Sequence, residues 1–140
     1  MNQVQSEFES SLHLDRLICT HLQVERSEKN LSEDKLQMQV QKHIEYLHNY
    51  DNAKVTLKVK IFDRGQILKV EIIMVGYFVL SGVQDPAFAQ EIMEKNTVAI
   101  MFPYVRSQIS LATTQPGFPP VVIPAININA LLDNGGSNND

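Results

Sequence analysis

Four stretches in which apolar and polar residues alternate, all within the first 80 residues, restrict the fold of this chain more than any other feature. Period-2 alternation sends every second side chain to one face, so each stretch reads as a strand with one face buried. In residues 12–25, Leu12, Leu14, Ile18, Leu22 and Val24 share one parity, and His13, Asp15, His21, Gln23 and Glu25 the other. Arg16 and Thr20 interrupt the apolar face, while Leu17 and Cys19 put apolar groups on the polar one. In residues 35–47, Leu36, Met38, Val40, Ile44 and Tyr46 alternate with polar side chains. In residues 54–62, Val55, Leu57, Val59 and Ile61 alternate with Lys54, Thr56, Lys58 and Lys60. The fourth stretch, residues 67–80, is apolar on both faces from Ile72 onward and must be covered on both sides. Asp63-Arg64-Gly65-Gln66 reads as a hairpin turn with Gly65 at positive φ. Short connections favour antiparallel neighbours, so a four-stranded antiparallel meander is expected.

The next part of the chain is helical. Asp85 followed by Pro86 is an N-cap with proline at the first helical position, and a helix is expected over Pro86–Lys95. Asn96 then caps a second helix over Thr97–Thr113, which Pro103 should kink by removing a backbone donor. This second helix carries two apolar rows. Val98, Phe102, Val105, Ile109 and Ala112 form one, and Ile100, Tyr104 and Leu111 the other. One row suffices to face a sheet, so the second implies burial against another subunit. After Pro116-Gly117 the chain is apolar but split by Pro124, then reads as one short turn at Ala130-Leu131-Leu132. The expected class is α+β, with C-terminal helices packed on one face of the sheet. One domain is expected over residues 1–132, with a disordered tail over 133–140.

Few kinds of chemistry fit. The 12 basic and 16 acidic residues leave a formal charge of −4 and no basic stripe to neutralise phosphates. A single cysteine excludes an intramolecular disulfide framework. No apolar run reaches the ~18 residues of a membrane span, and Met1–Glu7 has no signal-peptide pattern, so a cytoplasmic protein is expected. By parity His13, Cys19 and His21 leave one face of the first strand, with His43 on the polar face of the second. His13 and His21 stand roughly 25 Å apart at ~3.3 Å per residue and cannot share an ion. A Cys19–His21–His43 set lacks a fourth ligand, so no metal is expected. Cys19 has no helix N-terminus or orienting acid beside it, and no glycine-rich phosphate loop occurs, so neither a thiol enzyme nor a nucleotide enzyme is expected.

What remains is apolar surface. Residues 118–128 are too hydrophobic for a plain solvated connector, and Pro119, Pro120 and Pro124 keep them extended and stiff. One reading is a strap packed on the sheet. The other is the rim of a groove that takes an extended apolar peptide.

Phe102-Pro103-Tyr104-Val105-Arg106, then Gly117-Phe118-Pro119, then Pro124-Ala125-Ile126-Asn127-Ile128-Asn129-Ala130-Leu131-Leu132 resemble the SecB protein-export chaperones in order and spacing. The resemblance covers about residues 8–132. It implies a four-stranded antiparallel sheet with helices on one side, assembled as a homotetramer, a dimer of dimers joined through the long helix. Ile100, Tyr104 and Leu111 would lie at that interface. It also implies a chaperone without cofactor or ATP that binds unfolded preproteins in an apolar groove and delivers them to the motor ATPase SecA. The groove residues so implied are Met74 and Phe78 from the sheet, Phe118, Val121, Val122, Ile123 and Ile126 from the loop, and Leu131 and Leu132. Glu25 and Glu71 match family acids that dock SecA, whereas His21 and Lys69 replace an aspartate and a leucine. The last helix is short and the tail nearly uncharged where the family's is acidic, which implies weaker SecA coupling. A chaperone dedicated to one client such as an antitoxin, or an assembly subunit without clients, are the alternatives.

Overall fold

A computed structural model describes residues 12–31, 35–133 and 137–138 of the chain. Four long strands appear: β1 (Leu12–Arg26), β2 (Gln37–His48), β3 (Asn52–Phe62) and β4 (Leu68–Leu80). A long helix α1 (Pro86–Thr113), a short helix α2 (Ile128–Asp133) and a two-residue strand β5 (Ser137–Asn138) complete the described elements. All pairings are antiparallel, and the order across the sheet is β1-β4-β3-β2-β5. The fold is therefore α+β as expected, but β1 lies beside β4 and only β2–β4 form a meander. β4 is the strand with apolar side chains on both faces, and this order gives it a neighbour on each edge. Ser137–Asn138 pair with Met38 and Gln39 inside the segment expected to be a disordered tail; residues 134–136 and 139–140 lie outside the described residues.

The core is the helix-facing side of the sheet. Val55, Leu57 and Val59 of β3 and Val70, Ile72 and Phe78 of β4 are buried beneath Met93, Val98, Val105 and Ile109 of α1. Gly76 lets the helix come close, because a Cβ there would lie 2.8 Å from Phe78 Cε2 and 3.0 Å from Met101 Sδ. On the opposite face Ile73, Val75 and Tyr77 are shielded by side chains of adjacent strands. Ile18 stands opposite Val75, and the Arg16 guanidinium lies 5.9 Å from the Tyr77 ring centre. At the other end of the sheet Tyr46 packs edge-on against Tyr50 at 4.7 Å. Burial, with the Glu94 carboxylate and Tyr50 adding to it, pushes the Tyr46 phenol up to about 12.

β1 contains two bulges, between Leu14 and Arg16 and between Cys19 and His21. Each extra residue reverses the facing of the strand residues beyond it. Leu17 and Cys19, opposite Gly76 and Met74, thus face the helix, while Arg16 and Ile18, opposite Tyr77 and Val75, face away. The residues that interrupt the alternation are those at and between the bulges.

Two local features differ from expectation. At the β3–β4 turn Gln66 takes the positive φ of 57°, not Gly65. The buried Asp63 carboxylate holds this turn, accepting from the amides of Gly65, Ile67 and Leu68 at 3.1, 2.8 and 2.8 Å. The two expected helices are one. Asp85 caps it, accepting from the Ala87 amide at 3.2 Å, and the helix runs unbroken through Asn96 and Pro103. Asn96 does not cap, because the Thr97 hydroxyl donates back to the Met93 carbonyl and buried Met93 and Val98 share one core. Pro103 lies on the exposed side.

Candidate functional site

The site is built on the chain that leaves α1. Gln115-Pro116-Gly117-Phe118 forms a tight turn, with the Phe118 amide donating to the Gln115 carbonyl at 3.1 Å. Proline in the second position and glycine at φ 80° in the third is the type II pattern, which only glycine adopts without strain. The turn brings the Phe118 ring against β1, where its centre lies 4.2 Å from the Arg26 guanidinium carbon.

Val121 is then pinned at both backbone groups. Its amide donates to Thr113 Oγ1 at 2.8 Å, and its carbonyl accepts from Ser110 Oγ at 3.0 Å. With the main chain fixed there, successive side chains have opposite fates. Ile123 is 9% exposed and belongs to the core, whereas Val122 is 73% exposed and Ile126 36%. Asn127 ends the loop by capping α2, accepting from the Ala130 amide at 3.1 Å, and Asn129 Nδ2 ties α2 to the Lys95 carbonyl at 2.9 Å.

Two cavities flank the loop. The larger, about 730 Å³, lies between β1 and the end of α1, with walls that include Arg26, Leu31, Leu36, Leu68, Phe118 and Val121. The smaller, about 230 Å³, lies along β2 and includes Leu36, Met38, Ile61, Val121, Val122 and Ile126. Leu36 and Val121 line both, so the cavities follow one another along the loop. The result is a path of mixed lining, aliphatic at Leu31, Leu36, Leu68 and Val121 and polar at Asn30, Thr113 and Gln115, whose outer wall is held by hydrogen bonds rather than by burial alone.

The nine expected groove residues divide. Phe118, Val121, Val122, Ile123 and Ile126 line the two cavities. Leu131 and Leu132 are half-buried and pack against the core. Met74 and Phe78 are buried on the helix-facing side of β4 under α1 and line neither of these two cavities. The path also has walls from Arg26, Leu31, Leu36, Met38, Ile61 and Leu68, none of which the sequence assigns to a groove. One signal was there for Arg26, which continues the apolar parity of Leu22 and Val24 and so projects a cation toward the helix side.

The other candidates lie elsewhere. Glu25 and Glu71 are on the opposite face of the sheet, where Gln23 Nε2 donates to Glu25 Oε1 at 2.7 Å. Glu71 sits within 3.6 Å of His21 Nε2, 3.6 Å of Lys58 Nζ and 3.9 Å of Lys60 Nζ. On α1, Tyr104 and Leu111 are 50% and 68% exposed and Ile100 is half-buried, while the first apolar row faces the sheet. Cys19 faces the helix side and His13 and His21 the other, so the bulges separate the residues that parity had joined. Among the described residues no cluster of metal-ligating side chains occurs, and no helix is long and apolar enough to cross a membrane.

The profile of a family described as preprotein translocase subunit SecB matches residues 20–138. A protein-export protein SecB of Saccharophagus degradans is 34% identical over 79 residues, which cover 56% of this chain and 46% of that protein. An uncharacterized protein of Methanocaldococcus jannaschii is 30% identical over 134 residues, covering 89% of this chain and 84% of its own. This chain thus spans about half the length of the export protein it matches, 46%, but most of the archaeal one, 84%. Among solved structures, a SecB-like chaperone of Mycobacterium tuberculosis, in complex with a ChAD peptide from the HigA1 antitoxin, superposes with a TM-score of 0.63 at 11% identity. That match covers 89% of this chain and 97% of the other and shows a common fold.

Proposed function

This chain belongs to the SecB family, and from that premise we propose that it is a molecular chaperone that holds extended apolar segments of unfolded proteins along the path beside residues 118–126. The observation that carries the reading is the exposure of Val122 and Ile126 on a loop pinned through both backbone groups of Val121. A strap serving only the core would turn these side chains inward, as it does Ile123. A rigid wall lined with exposed aliphatic groups binds an extended chain by burial, which is non-directional and tolerant of sequence. The path needs no cofactor.

The proposal extends to a cytoplasmic homotetramer, a dimer of dimers, in which Ile100, Tyr104 and Leu111 are covered by a second α1. It includes delivery of unfolded preproteins to SecA through the face carrying Glu25 and Glu71. The test is binding of a reduced, slow-folding protein to the purified chain, with the mass of the free and loaded species read by light scattering. Complex formation with a tetramer supports the reading. A chain that leaves the unfolded protein to aggregate overturns it and favours an assembly subunit without clients.

A second reading is a chaperone dedicated to one client. It is favoured by the short α2, six residues, and by the fold match to a chaperone solved with an antitoxin peptide. Tight binding of one partner encoded beside this gene, with no retention of generic unfolded proteins, would decide for it.

A further inference from the structure

We propose that Ser137–Asn138 are a built-in competitor of the client: paired on the edge of β2 beside the smaller cavity, they are displaced when an extended segment enters it. The proposal rests on the groove reading above and adds a regulatory contact to it. β5 pairs antiparallel with β2 through Met38↔Asn138 and Gln39↔Ser137. Met38 is also a wall of the smaller cavity, with Leu36, Gln37, Val122 and Ile126. The pairing therefore sits on the rim of that cavity, where a client passing Val122 and Ile126 must lie. Among the described residues, strand cover on this edge of β2 is confined to Met38 and Gln39, the part beside the cavity. An extended client brings its own main-chain donors and acceptors to the same edge, and one ladder excludes the other.

The pairing is built to be weak but persistent. It is weak because β5 has only two residues, a serine and an asparagine, in a run of Asn, Gly and Ser with low strand propensity. Between separate chains so short a ladder does not hold. Here it follows α2, which ends at Asp133, and the three intervening residues keep its effective concentration in the millimolar range or above. The helix is itself anchored, since Asn129 Nδ2 donates to the Lys95 carbonyl at 2.9 Å, and β5 lies against α2 as well as β2. A bare strand edge invites pairing with other chains. A tethered, polar, two-residue cover shields that edge when the path is empty and yields to a client that also buries Val122 and Ile126.

The test titrates a fluorescent, uncharged apolar peptide against the full chain by anisotropy. Ser137→Pro with Asn138→Pro removes both amide donors of β5 and is expected to tighten peptide binding about fivefold, the worth of one net backbone hydrogen bond. Ser137→Val with Asn138→Val raises strand propensity and should weaken binding. Without peptide, amide hydrogen exchange across Met38–Gln39 should be faster in the proline variant than in wild type. Unchanged or weaker peptide binding in the proline variant overturns the proposal and leaves the groove standing. Exchange that the prolines do not alter shows that the pairing is not made in solution and also overturns it. Tighter binding in the valine variant makes the segment part of the client site rather than its competitor, with the same consequence. A peptide that binds neither wild type nor any variant, or whose affinity is indifferent to Val122→Ser with Ile126→Ser, overturns the groove and this proposal with it. If the proline variant does not fold, the valine variant still decides: binding as tight as wild type or tighter refutes competition.

Discussion

Replacing Val122 and Ile126 together by serine separates the groove from the strap. Burying a valine or isoleucine side chain from full exposure is worth roughly 1.5–3 kcal/mol. Val122 is 73% exposed in the free chain, so a client that covers it gains most of that, about 1.5 kcal/mol. Ile126, at 36%, has less left to bury and contributes about 0.5–1 kcal/mol. Together the pair supplies about 2 kcal/mol, and its loss should weaken client binding about 30-fold. Folding stability should stay within about 0.5 kcal/mol of wild type, because exposed side chains hold no core together. Ile123→Ala is the matched control. That side chain is buried, so its truncation should cost about 2–4 kcal/mol of stability. The assays are anisotropy of a labelled, permanently unfolded protein for affinity and urea titration for stability. Unchanged affinity in the double variant would refute the groove. A loss of stability comparable to that of Ile123→Ala would show that the loop is a strap after all.

Three further outcomes are expected. Tyr104→Glu should shift the assembly to smaller species in light scattering, because it places a charge in the exposed row on α1; a monomeric wild type at micromolar concentration would remove the interface. Gly76→Ala should destabilise the fold by about 1–3 kcal/mol in urea, since the new methyl would meet Phe78 and Met101 at or below contact distance; a shift under about 0.5 kcal/mol would mean that α1 yields easily there. Glu71→Lys should abolish calorimetric binding of SecA, and raising salt should nearly do so, while binding that survives both would place the docking surface elsewhere.

The sheet was legible in the sequence wherever a strand kept strict alternation. β3 is the clearest case, its odd residues from Ala53 to Ile61 all buried. β1 was legible as a strand but not in its facing, because period-2 counting carries a single phase and two bulges reset it. The cost was specific: Cys19 was grouped with His13 and His21, which it does not face. Neighbour order was not legible, since short connections describe β2 to β4 but give no partner for the free edge of β4. The join in α1 was hidden by Asn96, a good capping residue on sequence, whose neighbour Thr97 bonds back into the helix instead. Of the site, the loop was visible because apolar residues between prolines are unusual. The opposite wall was not, because Leu31 reads as a lone apolar residue within a polar connection and Leu36 as the first apolar residue of a strand, with nothing to bring the two together.

On the outer face of the sheet the acids already have cationic neighbours. On the outer face Glu71 is surrounded by Lys58, Lys60 and His21, and Glu25 stands opposite Lys69. An acid with cations within 4 Å presents little free negative potential, and the remainder is screened over ~8 Å at physiological salt. A basic partner docking on Glu71 must displace lysines that already neutralise it, so the net gain is a difference between similar pairs and falls further as salt rises. Burial of Val122 and Ile126 against a client meets no such competing pair and is not screened by salt. The two can be ranked directly: salt should weaken docking through Glu71 far more steeply than it weakens client binding along the loop, and equal salt slopes would contradict this assignment.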